Sequence, residues 1–303
     1  MILQKPGKVT ERITLLGRRE SNVYCLDGGS ESVLIGGGMV YIAPDVMDQI
    51  RELGIDENKI KKILILHSHF DHCGIVPFLR KKWPWVQVAA SEPAKAILKK
   101  TRAVETIHAM NREALKRRNM LKKAEEEGFA DFEGIEVEEV LKEGQRISCG
   151  DRTLEILEVP GHSSCSIAVY VPEEKAMFGS DSGGIASGNG IFPAANSNFD
   201  KYQQSLEKMA AYDIDVYLAE HYGARTHEDA KEFLPQSIRA AEQFRKKIEQ
   251  SLDRTNDPEK TAKELTEERM KNAPSEFLPE DVVHMINSRM AGFVFNQRTG
   301  RKA

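Results

Sequence analysis

The run I-K-K-I-L-I-L at positions 60–66 leads directly into H-S-H-F-D-H-C-G at 67–74. The first part is a β-branched and leucine run that suits a buried strand. The second places three histidines and an aspartate within six positions. Imidazole nitrogens and carboxylate oxygens are ligands for zinc, iron and manganese. Buried without a cation, four such groups would need other polar partners. A turn that gathers them lets His67 and His69 grip one metal while Asp71 and His72 face a second.

Three later positions repeat the strand-then-loop context. His162 lies in V-P-G-H, Asp181 in F-G-S-D and His221 in A-E-H-Y-G. Each follows an apolar run, so all can converge on one rim of a sheet. His162 then completes the first site and His221 the second, with the Asp181 carboxylate between them. His108, His227 and His284 fall in helical patterns or at a helix start and read as packed or solvated residues. Cys73, beside His72, reads as a small buried hydrophobe.

Around these positions the pattern is α/β. Short strands are expected at Ile13–Leu16, Asn22–Leu26 and Ser32–Ile35, a helix at 43–53, and strands at 62–66 and 86–90. Residues 91–127 read as an insertion of two helices, opened by Ser91 as a cap and Pro93 in the first turn. Strand signals return at 136–141, 146–147, 153–159, 166–171, 176–179 and 216–219, with a helix at 201–211. From residue 226 to 303 the pattern is helical, broken at Pro258, Pro274 and Pro279. The expected division is a catalytic core at 1–225 and a helical extension at 226–303 over the cleft.

Composition excludes some classes. The 303 residues are 40% hydrophobic and 30% charged, with a formal net charge of -4, which gives no electrostatic reason to expect nucleic acid or an anionic membrane. No apolar run approaches a membrane span. The four cysteines form no C-x-x-C pair and fit reduced thiols in a cytoplasmic protein.

Taken together, H-S-H-F-D-H, P-G-H, G-S-D and the late E-H resemble the metallo-β-lactamase superfamily in order and spacing, over residues of about 13 to 225. The resemblance implies an αββα sandwich, with the helical insertion and extension added to it. It also implies a binuclear site of His67, His69, Asp71, His72, His162, Asp181 and His221, holding two divalent ions, zinc or iron, with manganese also suited. In many members an I-D-T-G turn supports the metal loop with its aspartate; here the turn reads I-G-G-G at 35–38. The blocks H-F-D-H-C-G-I-V-P-F-L, A-V-E-T-I-H-A-M-N-R-E and P-S-E-F-L-P-E-D further resemble thioesterases of the kind that cleaves 2-aminobenzoylacetyl-coenzyme A in bacterial quinolone signalling.

That branch implies a thioesterase acting on a small acyl-coenzyme A or related thioester through a metal-bound hydroxide, with Asp71 both a ligand and the group that orients the water. The same parts serve a lactonase or a phosphodiesterase, and a regulatory binding protein with a vestigial site is the alternative from another class. The insertion offers a face for a homodimer or a protein partner. Specificity is expected from apolar residues of the last helices, Phe277, Leu278, Met285, Met290 and Phe293, and from Ile185 and Phe192 in the Gly-containing loop after Asp181.

Overall fold

The computed structural model describes residues 1–187, 190–272 and 278–300. Two seven-stranded mixed sheets lie face to face between layers of helices. One sheet runs, edge to edge, Gly7–Lys8, Ile13–Arg18, Ser21–Asp27, Ser32–Ile35, Ile60–Ile65, Gln87–Ser91 and Glu139–Leu141. The other runs Ile2–Leu3, Ala224–Thr226, Val216–Leu218, Ala176–Phe178, Ile167–Val171, Arg152–Glu158 and Arg146–Cys149.

The period-two alternation of strand side chains explains the layers. Along the first sheet, Val33, Ile35, Leu64 and Leu66 point inward to meet Leu154, Ile156, Val169, Phe178 and Leu218 of the second. Their neighbours Leu34, Ile63 and Ile65 point outward, under helices Ala43–Glu52, Val76–Lys82 and those of the insertion. The second sheet does the same: Leu157, Tyr170, Met177 and Tyr217 face helices Phe199–Ala210, Glu228–Thr255, Pro258–Asn272 and Glu280–Thr299. Both faces are covered, which is why these strands are apolar without alternation in the sequence.

The expected α/β sandwich with a C-terminal helical extension is therefore present. Two details differ. The insertion forms three helices rather than two, Glu92–Lys99, Thr101–Arg117 and Leu121–Glu127. Lys100 takes an extended conformation that ends the first of them. Positive backbone angles at Asn119 and Gly128 mark the later breaks. The loop after Asp181 contains a two-stranded hairpin, Ile185–Ser187 with Gly190–Phe192, anchored by the apolar pair Ile185 and Phe192. Among the described residues, no helix is long and apolar enough to cross a membrane.

Candidate metal centre

Four strand ends deliver the side chains. His67 to His72 follow Ile60–Ile65, His162 follows Arg152–Glu158, Asp181 follows Ala176–Phe178 and His221 follows Val216–Leu218. The first strand belongs to one sheet and the other three to the second, so the cluster sits where the rims of both sheets meet. The histidine loop is held by close backbone contact. Gly74 N donates to Gly38 O (2.8 Å) and Ile75 N to Gly37 O (3.0 Å). A Cβ on Gly74 would lie 2.5 Å from Val40 N, so the I-G-G-G turn and the H-C-G segment can meet only because Gly74 has no side chain.

The side chains form two adjoining groups. In the first, His162 Nε2 lies 3.2 Å from His67 Nε2 and 2.9 Å from His69 Nδ1. In the second, His72 Nε2 and His221 Nε2 are 3.1 Å apart, and Asp71 Oδ2 is 3.4 Å and 3.5 Å from them. Asp181 lies between the groups: Oδ2 is 3.2 Å from His72 Nε2 and 3.6 Å from His162 Nε2, and Oδ1 is 3.5 Å from His221 Nε2.

All seven sequence-predicted residues are thus brought together, and all are buried except His69, which is partly exposed. His67, His69 and His162 form one cluster whose ligand-type atoms lie within 4.8 Å of one another; Asp71, His72, Asp181 and His221 form another.

Tautomers show that these nitrogens suit a cation. His162 Nδ1 donates to Ala194 O and His221 Nδ1 to Glu20 O, both at 2.7 Å. A carbonyl oxygen only accepts, so each Nδ1 carries a hydrogen, and each ring in its neutral form presents Nε2 as a lone pair. In the first group two further ring nitrogens stand within about 3 Å of the His162 lone pair. Nitrogens bound at about 2.0–2.1 Å to a tetrahedral ion sit about 3.4 Å apart, close to this spacing. The donor set therefore fits divalent ions.

The two groups differ electrostatically. Burial, aided by neighbouring histidines, holds His67 and His69 below the ordinary histidine range, His69 at about 3. His162 is lowered mainly by burial, against the pull of Asp181. For His72, burial acts downward, but Asp71, Glu220 and Asp181 outweigh it and the ring is raised. His221 is raised to about 9: burial lowers it, while Asp181 and Asp71 more than compensate. Burial would raise Asp71 and Asp181, yet His72 and His221 hold both well below the usual carboxylate range.

The centre opens into a cavity of about 670 Å³. His69, Asp71, His162 and Asp181 are among its lining. One wall is helix Thr101–Arg117, through Ala103, Ile107 and Met110; another is helix Glu280–Thr299, through Val282, Met285 and Ile286. Of the expected substrate contacts, Ile185, Leu278 and Met285 line this cavity.

Phe192 does not. Its ring is buried against Phe244, with the Arg269 guanidinium 3.8 Å from its centroid. Met290 is buried in the core of the extension and Phe293 packs against that core, while Phe277 falls outside the described residues. Ile107 and Met110 of the insertion also line the cavity, and their helical spacing in the sequence does not distinguish a cavity wall from a packed core.

Cys73 is fully buried, its Sγ donates to His69 O (3.2 Å), and burial pushes its thiol up. His108 accepts from Phe132 N (3.2 Å), His227 is exposed, and His284 pairs with Glu259 (2.6 Å).

A sandwich of this topology with this histidine and aspartate cluster defines a metal-binding class, and the family profile of the metallo-beta-lactamase superfamily matches residues 16–221. The chain belongs to that superfamily. It is 24% identical over 210 residues to the atrochrysone carboxyl ACP thioesterase of Cryptosporiopsis sp. (strain 8999), covering 69% of this chain and 49% of that one. It is 27% identical over 173 residues to the hydroxyacylglutathione hydrolase of Prochlorococcus marinus (strain MIT 9312), covering 55% and 54%. The chain thus spans about half the length of these curated relatives. Among solved structures, a metallo-beta-lactamase family protein of Thermus thermophilus superposes with a TM-score of 0.69 at 18% identity, over 97% of this chain and 95% of that one. That likeness concerns the fold alone.

Proposed function

We propose that the chain is a binuclear metal-dependent hydrolase of acyl thioesters whose acyl group is slender and apolar and whose thiol carrier is anionic. The observation that carries this reading is the placement of the two ligand groups at an apolar cavity with cations at its exposed edge. Ile107, Met110, Ile185 and Ile286 offer the acyl group apolar surface. Lys100, Arg102 and Arg289 are exposed lining residues, set against one exposed carboxylate, Asp281, among the described residues. A carrier bearing phosphates, as coenzyme A does, complements that edge.

His67, His69 and His162 would hold one ion, Asp71, His72 and His221 the other, with Asp181 shared. Divalent ions bound there would lower the pKa of a water and polarise the substrate carbonyl. Asp71, which lines the cavity and faces both His72 and His221, would orient the attacking water. A thiolate leaves without strong protonation, so the site needs no dedicated acid. One curated relative is named a thioesterase and another a hydroxyacylglutathione hydrolase, which agrees with this class. The narrower resemblance to 2-aminobenzoylacetyl-coenzyme A thioesterases rests on the sequence blocks alone.

The test is thiol release from a panel of acyl-coenzyme A substrates, with metal content determined and a chelated control. Chelator-sensitive release that favours one slender acyl group is the expected result. A protein that holds two metals yet releases no thiol would overturn the thioester assignment and direct the search to lactones and phosphodiesters.

A further inference from the structure

Glu220 is 2% exposed, and nothing in its sequence context marks it out beyond its place before His221. A carboxylate so buried demands polar partners. Its Oε2 lies 3.0 Å from His72 Nδ1, the ring nitrogen that faces away from Asp71 and Asp181; this is an ion-pair approach, and Nδ1 has no aligned hydrogen-bond partner among the described residues. Ser180 Oγ donates to the same oxygen. That hydroxyl also lies 3.2 Å from His67 Nδ1, again the nitrogen turned away from the cluster. One carboxylate thus reaches a histidine of each group, His72 directly and His67 through Ser180. The second carboxylate oxygen, Oε1, has no hydrogen-bond partner among the described residues. It occupies the space a side chain at residue 36 would need: a Cβ built on Gly36 would clash with it. Gly36 has φ +91°, a conformation that side-chain-bearing residues rarely adopt.

We infer that Glu220 is a positioning residue of the metal centre, reaching from one sheet into the side-chain space left open by Gly36 of the other, and that it fixes His72 directly and His67 through Ser180. The inference rests on the metal-site reading given above. It makes Gly36 and Glu220 a coupled pair: the carboxylate fits because residue 36 is glycine. Ligand histidines depend on such partners for ring orientation and basicity, and losing one costs about 10–100-fold in metal affinity.

The experiment measures zinc affinity and stoichiometry on the stripped full chain by competition with a chromogenic chelator, for wild type, Glu220→Gln, Glu220→Ala and Ser180→Ala. Zinc-free circular dichroism and melting are measured for each, and Glu220→Gln preserves shape should the alanine variant fail to fold. Expected are two bound ions in the wild type and a loss of about 10–100-fold for both Glu220 variants. The loss for Ser180→Ala should be smaller, and the cobalt absorption spectrum of Glu220→Gln should be altered. In a double-mutant cycle, Gly36→Ala should harm Glu220→Ala less than it harms the wild type, because the contact it clashes with is gone. Equal zinc binding by the wild type and both Glu220 variants would overturn the positioning role alone. A wild type that binds no zinc would overturn the metal reading, and the role with it.

Discussion

His69 is the partly exposed member of its group, it lines the cavity beside His162, and its backbone oxygen takes the Cys73 thiol. Replacing it with alanine is expected to cut metal content from two ions toward one. Turnover should fall by more than about a hundredfold, beyond the usual cost of losing an outer hydrogen-bond partner; mass-spectrometric metal analysis beside the thiol assay reads both. Cys73→Ala should leave activity within a few-fold and cost about 1 kcal/mol for the lost hydrogen bond. An inactive variant with full metal content would make the thiol a participant.

Protons should separate the two groups as well. In the metal-free site, neighbouring carboxylates raise His72 and hold His221 at about 9, so an ion entering that group must displace protons. Zinc affinity at that group should climb as pH rises toward about 9. His69, at about 3, is already neutral, so the first group should show little change between about pH 5 and 8. Calorimetry in buffers of different ionisation enthalpy counts the protons released; equal release on filling both groups would contradict this assignment.

The seven clustered residues were legible because each pairs a ligand-type side chain with a strand end. Their supports were not. Ala194 and Glu20 act through backbone carbonyls, which any residue possesses, and Glu220 depends on an empty space at Gly36 that only folding brings near.

Among the elements, the cavity is walled by two helices far apart in the chain. Helix Thr101–Arg117 contributes residues spaced three and four apart, 103, 106, 107 and 110, and Glu280–Thr299 does likewise at 282, 285, 286 and 289. Either face looks like an ordinary amphipathic stripe in sequence, since a helix that lines a cavity and one that packs a core share a period. Filling the space from both sides tests the role. Ile107→Trp and Met285→Trp should each shift preference toward shorter acyl groups in the coenzyme A panel, with metal content unchanged. Unaltered chain-length preference in both variants would take these helices out of substrate recognition. At the far end of the insertion helix, Arg118 reaches back to Glu20 (2.9 Å) and stacks over Tyr41, while the Glu20 carbonyl holds His221. The insertion is therefore tied to the same loop that orients a candidate ligand.

For the molecule as a whole, the sequence divides near residue 225, yet the apolar packing continues across that point. Leu157, Tyr170 and Met177 of the sheet belong to one cluster with Phe233, Leu252, Leu265, Val283 and Met290. Removal of residues after 255 is expected to expose that surface and leave a chain that melts far below the intact protein or aggregates. A truncated chain with an unchanged melting curve would show that the extension is dispensable for stability. The α/β order was readable from the strand and helix patterns, and the sandwich only through the resemblance to the superfamily; the contact of the tail with the second sheet was not, because long-range packing leaves no local period.

The burial of the cluster also governs how ions come and go. His67, His72 and His221 are buried away from the cavity, whereas His69, Asp71, His162 and Asp181 line it. Because the groups come from four loops on two sheets, the cage closes only once those sheets have met. Ions would therefore reach an already folded chain, by the same doorway that substrate uses. A ligand seated in the cavity would then act as a stopper, slowing the escape of metal to a chelator and the entry of a competing ion alike.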